Sequence, residues 1–165
     1  IQEDLRMLER VGVDLEHLQL RHGPLTIRTS EDEALATPGM IEKIIQAERD
    51  GVDAVIVDCT SDVGVNEARR RVKIPVIAPG ELLQQKVLGK SSLWLTAEDL
   101  ASEPLNKVLQ ALKDDTEVIV TGGTGWSQVA KGLEQSLQER GLEVPVLDPL
   151  PIALEEAIRQ VKESS

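Results

Sequence analysis

Two stretches carry residue types that point to chemistry: Asp58-Cys59-Thr60-Ser61 and Gly122-Gly123-Thr124-Gly125. Each follows an apolar, β-branched run, Ala54-Val55-Ile56-Val57 in one case and Glu117-Val118-Ile119-Val120 in the other. Such runs fit strands buried on both faces of a parallel sheet, and open parallel sheets bind ligands beyond the carboxyl ends of their strands. A thiol there, ahead of a helix N-terminus, is stabilised as thiolate by the helix's partial positive charge. Thr60 and Ser61 add hydroxyl and backbone donors suited to a carboxylate, while a neighbouring Asp58 opposes the thiolate unless it points away or is paired. The plainer reading also stands, because a single cysteine after a buried strand often serves as a small apolar plug.

The glycine-rich stretch permits close backbone approach and positive φ, which suit an oxyanion cradle and equally a tight strand-to-helix turn. It is neither a dinucleotide fingerprint nor a Walker loop, since the G-x-G-x-x-G spacing and a following Lys-Ser or Lys-Thr are missing.

The elements that must position these loops follow from periodicity. Leu5, Leu8 and Val11 suggest the end of a helix, and the alternation at Leu15, Leu18 and Leu20 suggests a strand. Residues His22 to Pro38 read as a polar loop, with a helix from Met40 through Ile41, Ile44, Ile45 and Ala47 that stops near Gly51. After Cys59 the pattern predicts a polar helix through Asn66, Glu67 and Arg69, a short strand at Ile74-Pro75-Val76-Ile77, and a helix from near Glu81. Leu93-Trp94-Leu95 predicts a strand, and Leu105, Val108, Leu109 and Leu112 share one face of a helix that begins near Pro104. A helix from about Ser127 to Arg140, a strand at Val144-Pro145-Val146-Leu147 and a final helix to about Lys162 complete the chain. Aligning Thr60 with Thr124 sets Cys59 opposite Gly123 and matches Ile74-Pro75-Val76 to Val144-Pro145-Val146, which reads as an internal duplication, the alternative being that any two βαβ units in one chain look alike. The expected fold class is therefore α/β, with two related lobes built on parallel sheets. The first lobe spans residues 1–90 and the second, shortened one residues 91–165.

Composition narrows the function. Among 165 residues there are two Trp, no Tyr and no Phe, so Leu, Val, Ile and Ala must build the core. Trp94 and Trp126 read first as space-filling residues, with pocket lining as the alternative. Eighteen basic against 29 acidic residues give a net charge of -11, which repels nucleic acid and anionic membranes at long range. No run is long and apolar enough to span a bilayer. One cysteine excludes an internal disulfide and a multi-thiolate zinc site; with only His17 and His22 beside it, no metal site is expected. A reducing, cytoplasmic setting suits that usage. Two small lobes leave apolar surface to cover, so a homodimer or higher homo-oligomer is expected.

The run Gly23-Pro24-Leu25-Thr26-Ile27, then Asp32-Glu33-Ala34, Pro38-Gly39 and Ala47-Glu48-Arg49-Asp50-Gly51-Val52-Asp53-Ala54-Val55 into Asp58-Cys59, resembles the first half of an aspartate/glutamate/hydantoin racemase, nearest the hydantoin racemase branch. Ile74-Pro75-Val76 to Pro79-Gly80-Glu81 continues the likeness. Val120-Thr121-Gly122-Gly123-Thr124-Gly125 with Val146-Leu147-Asp148-Pro149 is similar to the family's second catalytic loop and the segment after it.

The resemblance implies pseudo-symmetric lobes with an active cleft between them, and a cofactor-independent isomerase in which two cysteines face each other across that cleft, one removing a proton beside a carbonyl and the other delivering one to the opposite face. It assigns Cys59 as one catalytic thiol, and Thr60, Ser61, Gly122, Gly123, Thr124 and Gly125 as substrate-binding. The substrate would be a small carboxylate or hydantoin-like cyclic amide. Gly123 stands where the second cysteine belongs, which points to one-faced proton transfer, with a non-catalytic small-anion-binding relative as the alternative. In the same superfamily, arylmalonate decarboxylase works with a single thiol, in the opposite loop, so a lyase fits the same logic. The resemblance also implies that the stretch from Gly89 to Thr116 is shortened and that the family's first strand lies outside this sequence.

Overall fold

Thr29 and Asp32 start the first long helix. In the computed structural model, which describes Arg6, Leu8, residues 12–24 and residues 27–164, with the backbone alone for Ala97, helix α1 spans Ser30–Arg49. The Asp32 amide donates to Thr29 Oγ1 (3.2 Å) and the Thr29 amide to Asp32 Oδ2 (2.9 Å), a reciprocal capping box. The segment read as a loop up to Pro38 is thus helical from Ser30. Pro38 lies inside the helix, and beside it Thr37 Oγ1 donates to the Glu33 carbonyl at 2.7 Å. The turn residues Pro38-Gly39 outweighed the Thr-x-x-Asp signal in the sequence reading, although only the latter fixes a helix start.

A second difference lies upstream. Residues 14–20 form no strand: Leu15 packs beside Leu150 and Leu154, while Leu18 is exposed. Only Leu15 of the alternating leucines docks there, and no sheet ladder forms. Of the three residues suggesting an earlier helix, Leu8 is buried, and Leu5 and Val11 lie outside the described residues.

Five short strands follow: β1 Val55–Ile56, β2 Val76–Ile77, β3 Ser92–Leu95, β4 Val118–Thr121 and β5 Val146–Leu147. They form two parallel sheets, β1-β2 and β3-β4-β5. Val55 pairs with Val76 and Ile56 with Ile77 in the first; Ile119 pairs with Val146 and Val120 with Leu147 in the second. The Val55 amide donates to the Pro75 carbonyl and the Ile119 amide to the Pro145 carbonyl, both at 2.9 Å. The two strand-loop-helix-strand units therefore share register, residue for residue, with Thr60 corresponding to Thr124.

The connecting helices are α2 Val65–Ala68, α3 Pro79–Val87, α4 Ala97–Ala101, α5 Pro104–Ala111 and α6 Ser127–Gln138, and α7 Pro149–Ser164 closes the chain. Helix α4 escaped the sequence reading; its Thr96-Asp99 capping box is the signal that would have found it. On α5, Val108 is buried while Leu109 is exposed. Helix α7 crosses back to the first sheet: Ala153 and Ala157 pack with Ile77, and Leu150 and Leu154 pack near Ile56. The second sheet is covered by Val108, Leu133 and Leu137 from α5 and α6, with Trp126 beside them, whereas Trp94 is exposed. Among the described residues no helix is long and apolar enough to cross a membrane.

Candidate functional site

Val57 is buried at the end of β1, and the chain turns sharply after it: the Cys59 amide donates to the Val57 carbonyl at 2.7 Å and the Asp62 amide to the Cys59 carbonyl at 3.0 Å. Cys59 is a free thiol, half-buried, packed against the core around Ile41, Ile44 and Val57. The helix expected through Asn66, Glu67 and Arg69 is present, but it is short and does not begin at the thiol. Helix α2 starts only at Val65, is four residues long, and has Gly64 (φ 70°) at its N-cap. A turn in which Val63 is buried thus separates Cys59 from the first helical residue, Val65.

The loops after β1 and β4 meet. Thr60 Oγ1 donates to the Gly122 carbonyl at 2.8 Å, and Thr124 Oγ1 donates to the Asp58 carbonyl at 3.2 Å. Since Thr60 corresponds to Thr124 and Asp58 to Gly122, each loop offers the other the same donor and the same acceptor. Cys59 sits between the acceptor and donor of its loop, and Gly123 occupies the matching place in the other. Both threonine protons are therefore spent on backbone carbonyls; the hydroxyl oxygens keep lone pairs but are not open donors. Ser61 is exposed beside this clasp.

The glycines divide the work. A Cβ on Gly122 would lie 2.8 Å from the Leu95 carbonyl oxygen, to which the Gly122 amide donates at 2.7 Å, so glycine there allows β3 to approach closely. Gly125 holds the positive φ, 81°. Gly123 needs neither exemption: a Cβ would meet Trp126 Cδ1 and Nε1 at 3.4 Å, at the edge of ordinary contact. The half-buried Trp126 thus lines the second loop.

Three neighbours went unnoticed in the sequence. Asp62, at a left-handed φ of 52°, accepts from the Gly80 amide at 2.9 Å and the Glu81 amide at 2.7 Å, the first turn of α3. Gly80 lies so close under the cysteine loop that a Cβ there would overlap the Thr60 carbonyl oxygen. Burial pushes the Asp62 carboxyl above its ordinary 3.8, against the two amides that pull it down. Ser127, first residue of α6, is 2% exposed and its hydroxyl has no hydrogen-bond partner among the described residues. No group of His, Cys, Asp and Glu among the described residues is arranged to hold a metal.

The family model described as Asp/Glu/Hydantoin racemase matches residues 6–94, a span that includes Cys59 and ends before the glycine loop. A hydantoin racemase from Pseudomonas sp. (strain NS671) is 33% identical over 98 residues, 59% of this chain and 36% of that protein. One from Rhizobium meliloti is 44% identical over 54 residues, 33% of this chain and 22% of that protein. The matches thus span only about a third or less of these curated relatives. Among solved structures, allantoin racemase from Klebsiella pneumoniae superposes with a TM-score of 0.82 at 23% identity, over 96% of this chain and 80% of that one, a likeness of fold.

Proposed function

Because the chain belongs to the Asp/Glu/Hydantoin racemase family, we propose that it moves a proton to and from a carbon beside a carbonyl in a hydantoin-like cyclic amide or a small carboxylate, with Cys59 as the acid-base group. The reading rests on the reciprocal threonine clasp, which sets Cys59 and Gly123 in matching places of two loops pinned to each other. The relatives' names favour the cyclic amide, since hydantoin and allantoin are both five-membered ureides with an acidic C–H next to a carbonyl.

In the proposed step the thiolate takes the proton, and the C–H electron pair moves onto the carbonyl oxygen as an enolate. Backbone amides of Thr60, Ser61, Gly123, Thr124 and Gly125 hold that oxygen or a carboxylate; the Gly122 amide is already committed to Leu95. Glycine at 123 supplies no acid on the other face, so the same thiol returns the proton to the face it left. The division into lobes at 90/91, with a cleft between them and α7 reaching back to the first, belongs to the same proposal. A homo-oligomer is part of it as well.

The engaged threonine hydroxyls and the missing second thiol favour a second reading, a relative that binds a small anion without turnover. Proton NMR of a 5-substituted hydantoin in heavy water separates the two. The first predicts loss of the ring C–H signal, abolished by Cys59→Ala; binding without any exchange would select the second.

A further inference from the structure

Helix α3 has no cap of its own. Its N-cap residue is Ala78, with no side-chain bond to the first turn, whereas the corresponding helix α7 follows Asp148, whose Oδ1 accepts from the Leu150 amide at 3.1 Å. The two repeats differ here in where the carboxylate comes from. For α3 it comes from Asp62, three residues past Cys59, and both its oxygens are used.

We propose that Asp62, seated against Gly80, is the positioning residue of the Cys59 loop: by capping α3 from outside the helix it clamps the turn from Cys59 to Asp62 onto a rigid element. This deepens the reading of Cys59 as the proton-transfer group and rests on it. The clamp has two jaws. Asp62 grips the amides of Gly80 and Glu81, and the absent Cβ of Gly80 lets the Thr60 carbonyl press against the same turn. Thr60 is also the residue that reaches across to Gly122, so a shift at Asp62 passes to Cys59 and to the clasp together. Arg69 braces the far side: its Nε donates to the Val76 carbonyl at 3.0 Å and its Nη1 reaches both carboxylate oxygens of Glu81 at 3.0 Å.

Holding an ionised carboxylate in the clamp carries a cost. A carboxyl whose folded pKa lies above its unfolded value of 3.8 binds its proton more tightly in the folded state. Stability therefore falls as pH rises through the window between the two values, and stays lower at neutral pH. The charged groups felt by Asp62 are Glu81, which raises it, and Arg69, which lowers it. A left-handed φ at a non-glycine residue adds local strain. Cost of both kinds at one residue beside the thiol fits a device kept for geometry.

The test uses the full chain without substrate. Asp62→Gly keeps the left-handed φ and removes the carboxylate; Asp62→Asn keeps the φ preference and one acceptor. In Asp62→Gly, iodoacetamide should alkylate Cys59 about tenfold faster or more, the factor carried by a lost hydrogen bond to a charged group. The Gly80 and Glu81 amide resonances should shift and stop titrating, the β4 amides should stay in place, and melting should fall by about 2–4 °C for each kcal/mol the lost bonds carried. Asp62→Asn should recover part of the original rate. In the unsubstituted chain both amides should titrate together, with a midpoint above 3.8. An unchanged alkylation rate in Asp62→Gly, or an acceleration whose steep urea dependence marks global unfolding as the only route to the thiol, would overturn the proposal. Should Asp62→Gly not fold, unchanged alkylation in Asp62→Asn would do so. Failure of the unsubstituted protein to exchange any hydantoin proton would count against the proposed function, not against the clamp, whose readouts need no turnover.

Discussion

The threonine clasp makes an ordered prediction about stability. Replacing Thr60 with the isosteric Val removes a 2.8 Å part-buried hydrogen bond and leaves the Gly122 carbonyl without that donor. A net hydrogen bond contributes about 1 kcal/mol and an orphaned, partly buried acceptor adds to the loss, so Thr60→Val should cost roughly 1–2 kcal/mol. Thr124→Val breaks a longer, exposed bond of 3.2 Å and should cost about 0.5 kcal/mol. At this chain length each kcal/mol moves the melting temperature by about 2–4 °C. Urea denaturation and calorimetry on both single variants and the double variant measure the costs. Because the two bonds join the same pair of loops, the double variant should depart from additivity by about 0.5 kcal/mol or more. Thr60→Ser, which keeps the hydroxyl, should retain the bond. Equal costs for the two threonines, or no cost at Thr60, would refute the account of how the loops are held.

Other consequences can be checked independently. Ser127→Ala removes a buried hydroxyl that lacks a partner, so melting should stay level or rise by up to about 1 kcal/mol equivalent; a clear fall would show that the hydroxyl is satisfied in solution. Glu156, bonded to Arg159 and Gln160, is held down to about 2 from its ordinary 4.5, so its stabilising contribution is present above 4.5 and lost as pH falls toward 2. Glu156→Gln should remove that slope, which as an exposed pair amounts to no more than about 3 °C in melting. Light scattering at micromolar concentration should report a dimer or larger, and a monomer would remove self-association from the proposal.

Strands and their loops were legible because β-branched runs such as Val55–Ile56 and Val118–Thr121 can be little else, and because the repeat fixes both registers at once. Cys59 and the glycine loop could be placed at strand ends for the same reason. Partners distant in sequence were not legible: that Thr60 would spend its proton on Gly122, or that Asp62 would cap α3, depends on how two turns approach in space. Local signals were passed over at Thr29-Asp32 and Thr96-Asp99, where capping boxes mark helix starts. The alternation at Leu15, Leu18 and Leu20 marks no strand: Leu15 packs beside Leu150 and Leu154 and Leu18 is exposed. Positive φ was expected of Gly123 and its neighbours as a group, and only Gly125 among the loop's three glycines uses it.

That last difference makes the central claim testable by a gain of function. Gly123 has no positive φ to lose, and a Cβ there would only touch Trp126 at 3.4 Å, so Gly123→Cys should fold and place a second thiol in the position matching Cys59. The decisive measurement is the ratio of deuterium incorporation to inversion for an optically pure 5-substituted hydantoin in heavy water, followed by proton NMR and chiral chromatography. One-faced transfer by Cys59 gives exchange without inversion in the unsubstituted protein and inversion approaching exchange in Gly123→Cys. Equal rates of exchange and inversion in the unsubstituted protein would show a second acid on the opposite face and contradict one-faced transfer by Cys59.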